Sequence, residues 1–449
     1  MIRALILLAL FVLSSCAVPK GPSASRSAAG PLPPMKLFST ARPAQPSRSN
    51  ALIAQDILNL SFALESGRDL RQFSRFESPI RIAFTGQIPP LTLERDLDNL
   101  VARLRTEAGL DIARSQEPNA ANIRVHMIDK RTLKRVTPNA ACFVVPGLHT
   151  FEGFLTASRT PAFDWTAVTQ RTGATAFIPG DISPQEARDC LHEEVAQALG
   201  PLNDLFHLTD STFNDDNFHT VLTGFDMLVL RALYAPEMRS GMSKARMASV
   251  LPRVLARINP EGNFAPRTPA MPLSQAWRDA VQTAMSNDIT QSKRRASARR
   301  ALELSDRAGW QDARYAYSHF LMGTLLMSEN SALSLEHFKV ADLAYARLPG
   351  TQVQRAHISL HLAAIALRQG DFERTIDITT QAASVATQTE NAALLSMILM
   401  VRAEALRMEG RESEARSVRL DGFGWARYGF GSDELVQARW NDISRLAPK

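Results

Sequence analysis

The chain has 449 residues, 45% hydrophobic and 21% charged, which excludes a disordered polymer and leaves room for two domains with separate cores. Its net charge of +6 is scattered, and the one basic cluster, Lys293-Arg294-Arg295 with Arg299 and Arg300, is expected to be the solvated start of a helix, so no nucleic-acid partner is expected. No segment offers about 18 uninterrupted apolar residues, so no spanning helix is expected.

The first residues read as an export signal. Arg3 supplies positive charge, Ala4 to Val12 form an apolar run too short to span a bilayer, and Leu13-Ser14-Ser15-Cys16 is a lipobox with small residues before the cysteine. Cleavage after residue 15 would leave the Cys16 thiol to accept diacylglycerol, so a lipid bilayer is the first expected partner. Ala17, standing where Asp is absent, resembles the pattern of bacterial lipoproteins sorted to the outer membrane. The expected location is therefore the periplasmic face of a bacterial membrane, the outer one by preference. Residues 16–50, rich in Pro, Ser, Ala and Arg, are expected to be a disordered tether whose function is reach.

From 51 to 262 strands and helices alternate. Ile80–Phe84, Ile123–Ile128 and Ala174–Ile178 read as strands, and Leu93–Ala108 as an amphipathic helix with Leu97, Leu100, Val101 and Leu104 on one face. Ser183 as N-cap and Pro184 at the first helical position announce a helix that should stop at Gly200. Two cysteines remain, Cys142 and Cys190. In an oxidising compartment the pair is expected to be bridged, with two buried free thiols as the alternative.

The helix ending at Gly200 carries the chemistry. In metzincin zinc proteases two histidines four apart put imidazoles on one helix face, a Glu beside the first is the general base, and a Gly turn brings a third His to the metal. Anchored on Gly200, this stretch resembles that motif step for step. Glu194 takes the general-base place, but Glu193, Gln197 and Asn203 stand where the histidines would be. Starting from His192 instead, the second histidine would fall at Ala196. Carboxamides are poor zinc ligands, so the expectation is a degenerate metzincin cleft with no metal and no cofactor. Glu194 is catalytic only if unusual ligands support hydrolysis. Glu193 or Glu194 with Asp204 could form an acid/base pair, or these groups could be solvated or cap backbone near Gly200. His192, His207 and His219 are expected to be satisfied or surface residues, and Asn214-Asp215-Asp216 a turn in preference to a calcium loop. The stretch Leu222–Tyr234 looks like the helix after the Met-turn, with Phe213 roughly at the place of the Met.

Taken together, Cys142-Phe143, Cys190, Glu193-Glu194, Gln197 to Gly200, Asn203-Asp204, Phe213-Asn214-Asp215, Leu222-Thr223, Asp226 to Tyr234, Arg239, Gly241 and Met242 resemble domain of unknown function 2927 of bacterial lipoproteins, over roughly residues 70–245. The resemblance implies no activity. It does imply that Gln197 and Asn203 belong to the family pattern, and it favours a disulfide between Cys142 and Cys190.

After the Pro-rich break at 263–269 the chain becomes Ala- and Leu-rich at helical spacing, with turns near Glu329-Asn330, Gly370-Asp371 and Gly410-Arg411. The recurrence, about every 40 residues, predicts helical hairpins in series that resemble tetratricopeptide repeats, although the usual period is ~34 and their Trp and Pro signatures are absent. An irregular bundle is the alternative. The expected architecture is an α+β zincin-like domain over 51–262, followed by an all-α helical-repeat domain over 270–449. The expected role is a membrane-tethered, non-catalytic scaffold that binds a protein or peptide partner on its repeats. Two alternatives are a metal-dependent hydrolase with Glu194 as base, and a peptidoglycan or peptide binder using the cleft without chemistry.

Overall fold

The computed structural model describes residues 32–38, 45–138, 140–214, 216, 218–265, 274–286 and 288–448. The export signal, Cys16 and Asp215 lie outside them. The chain divides into two compact units, one built within residues 45–275, the other on 276–347 and 352–448 together with residues 32–38.

The first unit carries one five-stranded sheet. Its elements run α1 (Asn50–Ser61), β1 (Ile80–Gly86), α2 (Leu91–Thr106), β2 (Ile112–Arg114), β3 (Ile123–Ile128), α3 (Lys130–Val136), β4 (Phe143–Pro146), α4 (Phe151–Ala157), β5 (Ala174–Pro179), α5 (Pro184–Leu199), α6 (Gly224–Leu233) and α7 (Lys244–Ile258). The sheet order is β2-β1-β3-β5-β4, parallel except for β4, which pairs antiparallel with β5. β5, flanked by β3 and β4, is buried along its whole length, as a strand covered on both faces must be. Helices α2 and α5 pack beside each other, and α5 lies on β3, β4 and β5. The shared core includes Ile82, Leu97, Leu100, Leu104, Val125, Ala176, Leu191, Val195 and Leu199.

The strands and helices expected from periodicity are present, shifted by at most two residues at their ends, and α5 has the expected bounds. Ser183 Oγ accepts from Glu186 N, and Pro184 occupies the first turn. At Gly200 a Cβ would collide with Leu233 Cδ1, so the helix ends where α6 must approach. β2 and β4 span three and four residues, too short for any period to register. The disulfide joins Cys142, at the entry to β4, to Cys190 on α5, with Cα atoms 5.9 Å apart.

The second unit is all helix: α8 (Gln275–Met285), α9 (Gln291–Arg307), α10 (Ala313–Leu326), α11 (Ser331–Ala346), α12 (Gln352–Arg368), α13 (Phe372–Gln388), α14 (Ala392–Met408), α15 (Glu412–Phe430) and α16 (Asp433–Ser444). Pairs α10/α11, α12/α13 and α14/α15 form hairpins in series, turning where expected. Gly370 and Gly410 adopt φ near +79° and +77°, the left-handed geometry that favours glycine, and Asp371 caps α13 by accepting from Arg374 N. Small residues let the paired helices approach: at Gly429 a Cβ would lie 2.7 Å from the Ala393 backbone. The basic cluster lies at the start of α9, with Lys293, Arg299 and Arg300 exposed.

Of the expected tether, 16–50, residues 32–38 and 45–50 are described. Residues 32–38 form neither helix nor strand, yet Leu32 and Phe38 pack on the apolar cluster of the helical unit, and Ser49 and Asn50 are buried at the entry to α1. Leu32 and Phe38 gain apolar burial, which offsets the ordering cost that the Pro- and Ser-rich composition suggested could not be met.

Candidate functional site

The site is built on the last two turns of α5 and the chain that follows Gly200. Two backbone hydrogen bonds, Leu202 N to Leu60 O at 2.9 Å and Glu65 N to Leu202 O at 3.1 Å, tie that chain to the end of α1 and bring Glu65 beside the motif. Carboxylate oxygens of Glu65, Glu193 and Asp204 all lie within 4.8 Å of one another, with Glu193 and Asp204 buried. Gln197 Nε2 sits between two of them, donating to Glu65 Oε1 at 3.0 Å and to Glu193 Oε1 at 3.2 Å. The four-residue spacing on α5 stacks Glu193 and Gln197 on one face, as it would two histidines.

Of the residues singled out from the sequence, Glu193, Gln197 and Asp204 come together. Asn203 is held separately: its Nδ2 donates to Asn59 O at 3.0 Å, and its Oδ1 is buried without a hydrogen-bond partner. Glu194 is 3% exposed and stands outside the carboxylate trio. The placement of Asp204, not Asn203, beside Glu193 departs from the metzincin register.

The nearby histidines are each engaged by the protein. His192 Nδ1 accepts from Leu222 N at 3.1 Å, and burial, together with Arg103 and Arg188, holds its pKa well below the usual range, so it is neutral. His207 Nε2 lies 2.8 Å from Asp56 Oδ1, and His219 Nε2 lies 2.9 Å from Thr209 O. Asn214 and Asp216 form a turn closed by their own side chains, Asp216 N donating to Asn214 Oδ1. Asp226 is fully buried at the start of α6 in a capping box with Thr223, and it also accepts from Ser211 Oγ and Thr212 N. Burial raises its pKa against those hydrogen bonds.

Two residues of the site were not singled out from sequence. Glu65 carries no local signal, because it follows α1 far upstream of the motif. Arg171 is fully buried and closes the C-terminus of α5: Nη1 donates to the carbonyls of Gln197 at 2.5 Å and Ala198 at 2.6 Å, and Nη2 to that of Gly200 at 2.7 Å. Its guanidinium lies 4.6 Å from the Trp165 ring centroid, and Tyr234 Oη donates to Leu199 O at 3.0 Å. Burial lowers the Arg171 pKa to about 10 and pushes Tyr234 up to about 12, so at neutral pH a cation faces the negative end of the α5 dipole.

These features define a mixed α/β domain whose helix α5 carries Glu193 and Gln197 on one face, followed in the chain by an all-helical unit. Residues 50–253 match the family model described as Protein of unknown function (DUF2927). That match runs from the start of α1 into α7 and leaves the helical unit outside it. Neither the curated proteins nor the solved structures contain a match.

Proposed function

We propose that the protein is a lipid-anchored envelope protein that acts by binding: a zincin-like domain without zinc chemistry, joined to tetratricopeptide-like repeats that receive a protein or peptide partner. One observation carries the non-catalytic part. Gln197, at the place of the second zinc histidine, directs its amide nitrogen at Glu193 and Glu65, and an N–H group cannot donate electrons to a metal. The order strand, long helix, further strands, motif helix supports the zincin-like reading. Hairpins in series supply the surface for a partner. Anchoring rests on the lipobox ahead of Cys16, with the periplasmic face of the outer membrane as the location; no helix of the described residues is long and apolar enough to cross a membrane. On this reading zinc analysis of the purified protein returns no stoichiometric metal, and Glu194→Gln leaves the envelope phenotype of a deletion strain fully complemented. One zinc per chain, or loss of complementation, overturns it.

A second reading is favoured by the carboxylate trio. Glu65, Glu193 and Asp204 form an all-oxygen set suited to a hard cation such as Ca²⁺, Mg²⁺ or Mn²⁺, with Glu194 as general base of a hydrolase. A melting temperature that rises with one of these ions in the wild type and not in Asp204→Asn decides for it.

A further inference from the structure

Residues 32–38 are bound to α15 by a set of directional contacts. The Lys36 amide donates to Gly424 O at 2.9 Å, and Arg427 Nη1 donates to Pro33 O at 3.0 Å. Lys36 Nζ pairs with Asp421 at 2.5 Å and stands 5.7 Å from the Trp425 ring centroid. Phe38 stacks on Trp425, with centroids 4.4 Å apart and planes at 24°. Anchors at Pro33, Lys36 and Phe38, two or three residues apart, suit an extended chain. Pro33-Pro34 restrict that chain before it binds, which lowers the cost of ordering it.

Gly424 gives an independent sign that α15 is shaped for this segment. A Cβ there would lie 3.0 Å from Lys36 Cγ and 3.2 Å from Pro34 O, and its three nearest atoms all belong to Pro34 and Lys36. Gly422 and Gly429 of the same helix face α14 instead, meeting Leu399 and Ala393. Glycine is a poor helix former, so its place in the interior of α15 follows from the room the segment requires.

We propose that the α15 face made by Asp421, Gly424, Trp425 and Arg427 is a docking site for an extended proline-rich peptide, and that its occupant is this chain's own residues 32–38. The consequence for anchoring rests on the lipid reading of Cys16. The lipid then pulls on the helical unit, with only residues 17–31 between lipid and dock, at most about 50 Å of chain.

The test uses the full chain and the rate of tryptic cleavage after Lys36, read by mass spectrometry. Cleavage in the wild type is expected at least about tenfold slower than in Gly424→Ala, which improves helix propensity while filling the gap, and than in Phe38→Ala. A labelled peptide of residues 30–40 is expected to bind a Lys36→Glu, Phe38→Ala chain and to bind neither the wild type, whose dock is filled, nor Gly424→Ala, whose dock is blocked. Equal cleavage rates in all three chains overturn the proposal, as does equal peptide binding by the vacated and blocked chains. Protection that grows with protein concentration assigns the peptide to a second copy and overturns the claim that the chain docks its own. Mass analysis of the Cys16 peptide tests the lipid separately, so failure of that reading leaves the cleavage result standing.

Discussion

Arg171 and Gln197 are joined through the backbone: the guanidinium, standing just before β5, donates to the Gln197 carbonyl at 2.5 Å while the Gln197 side chain turns to Glu193 and Glu65. The last carbonyls of a helix lack intrahelical donors, and here one buried cation satisfies three of them. The arginine thereby sets where the motif helix ends and where Gln197 stands.

Arg171→Met is therefore expected to lower the stability of the sheet unit by about 3–5 kcal/mol, because the buried carbonyls of Ala198 and Gly200 lose this donor and that of Gln197 keeps only the bond from Gly200 N. Arg171→Lys recovers little of this, since one ammonium lacks the planar fork that reaches all three. Urea unfolding followed by far-UV circular dichroism measures both; a loss under about 1 kcal/mol for the methionine variant contradicts the capping role.

The disulfide closes a loop with a sequence separation of 48. Loop-closure entropy for that length corresponds to about 4 kcal/mol, so Cys142→Ala with Cys190→Ala should lower the unfolding free energy by that order. The same shift is expected for the wild type under a strong reductant, and no further shift when reductant is added to the double variant.

At the carboxylate trio the sign of a neutralising substitution separates the two functional readings. Carboxylates packed this closely repel one another when ionised. In metal-free buffer Glu193→Gln removes one of these carboxylates and keeps a carbonyl that can accept from Gln197, so the variant should melt no lower than the wild type. If a divalent cation binds the trio, the variant melts below the ion-loaded wild type. Thermal scans with EDTA and with millimolar Ca²⁺, Mg²⁺ or Mn²⁺ read out the sign.

The helical unit should weaken in mild acid. Burial lowers the pKa of His361, stacked on Phe338, to about 4, and burial with His337 does the same for His319. His319 and His337 face each other Nδ1 to Nδ1 at 2.9 Å, so one ring must stay an acceptor. The native state resists protonation while the unfolded chain takes it up near pH 6.5. The contribution is thus complete above pH 6.5 and is lost as pH falls toward 4. For His361 it is on the order of 3 kcal/mol. His361→Gln should flatten the stability profile between pH 6.5 and 4; an unchanged slope rules this out.

Much of the sheet unit was legible because its signals are local. Ser183, Pro184 and Gly200 bound α5 through groups within one helical turn of each end, and the alternating stretch at 123–128 and the largely apolar one at 174–179 declare strands. The four-residue step from Glu193 to Gln197 likewise placed two oxygen-bearing side chains on one face before any packing was known. Turns at Gly370 and Gly410 were readable for the same reason, since few residues other than glycine adopt a positive φ at little cost.

What the chain order could not declare was decided by packing between distant segments. Glu65 reaches the motif because residues 60–65 hydrogen-bond to Leu202, which places Asp204 beside Glu193 while Asn203 turns to α1. Arg171 meets the end of α5 because α5 folds back along β5, and residues 32–38 find a place because Gly424 leaves room for them. Local conformational preference acts over a turn of helix or a few strand residues. Which carboxylates share one site, and which flexible segment finds a surface, depends on contacts that exist only once the cores have formed.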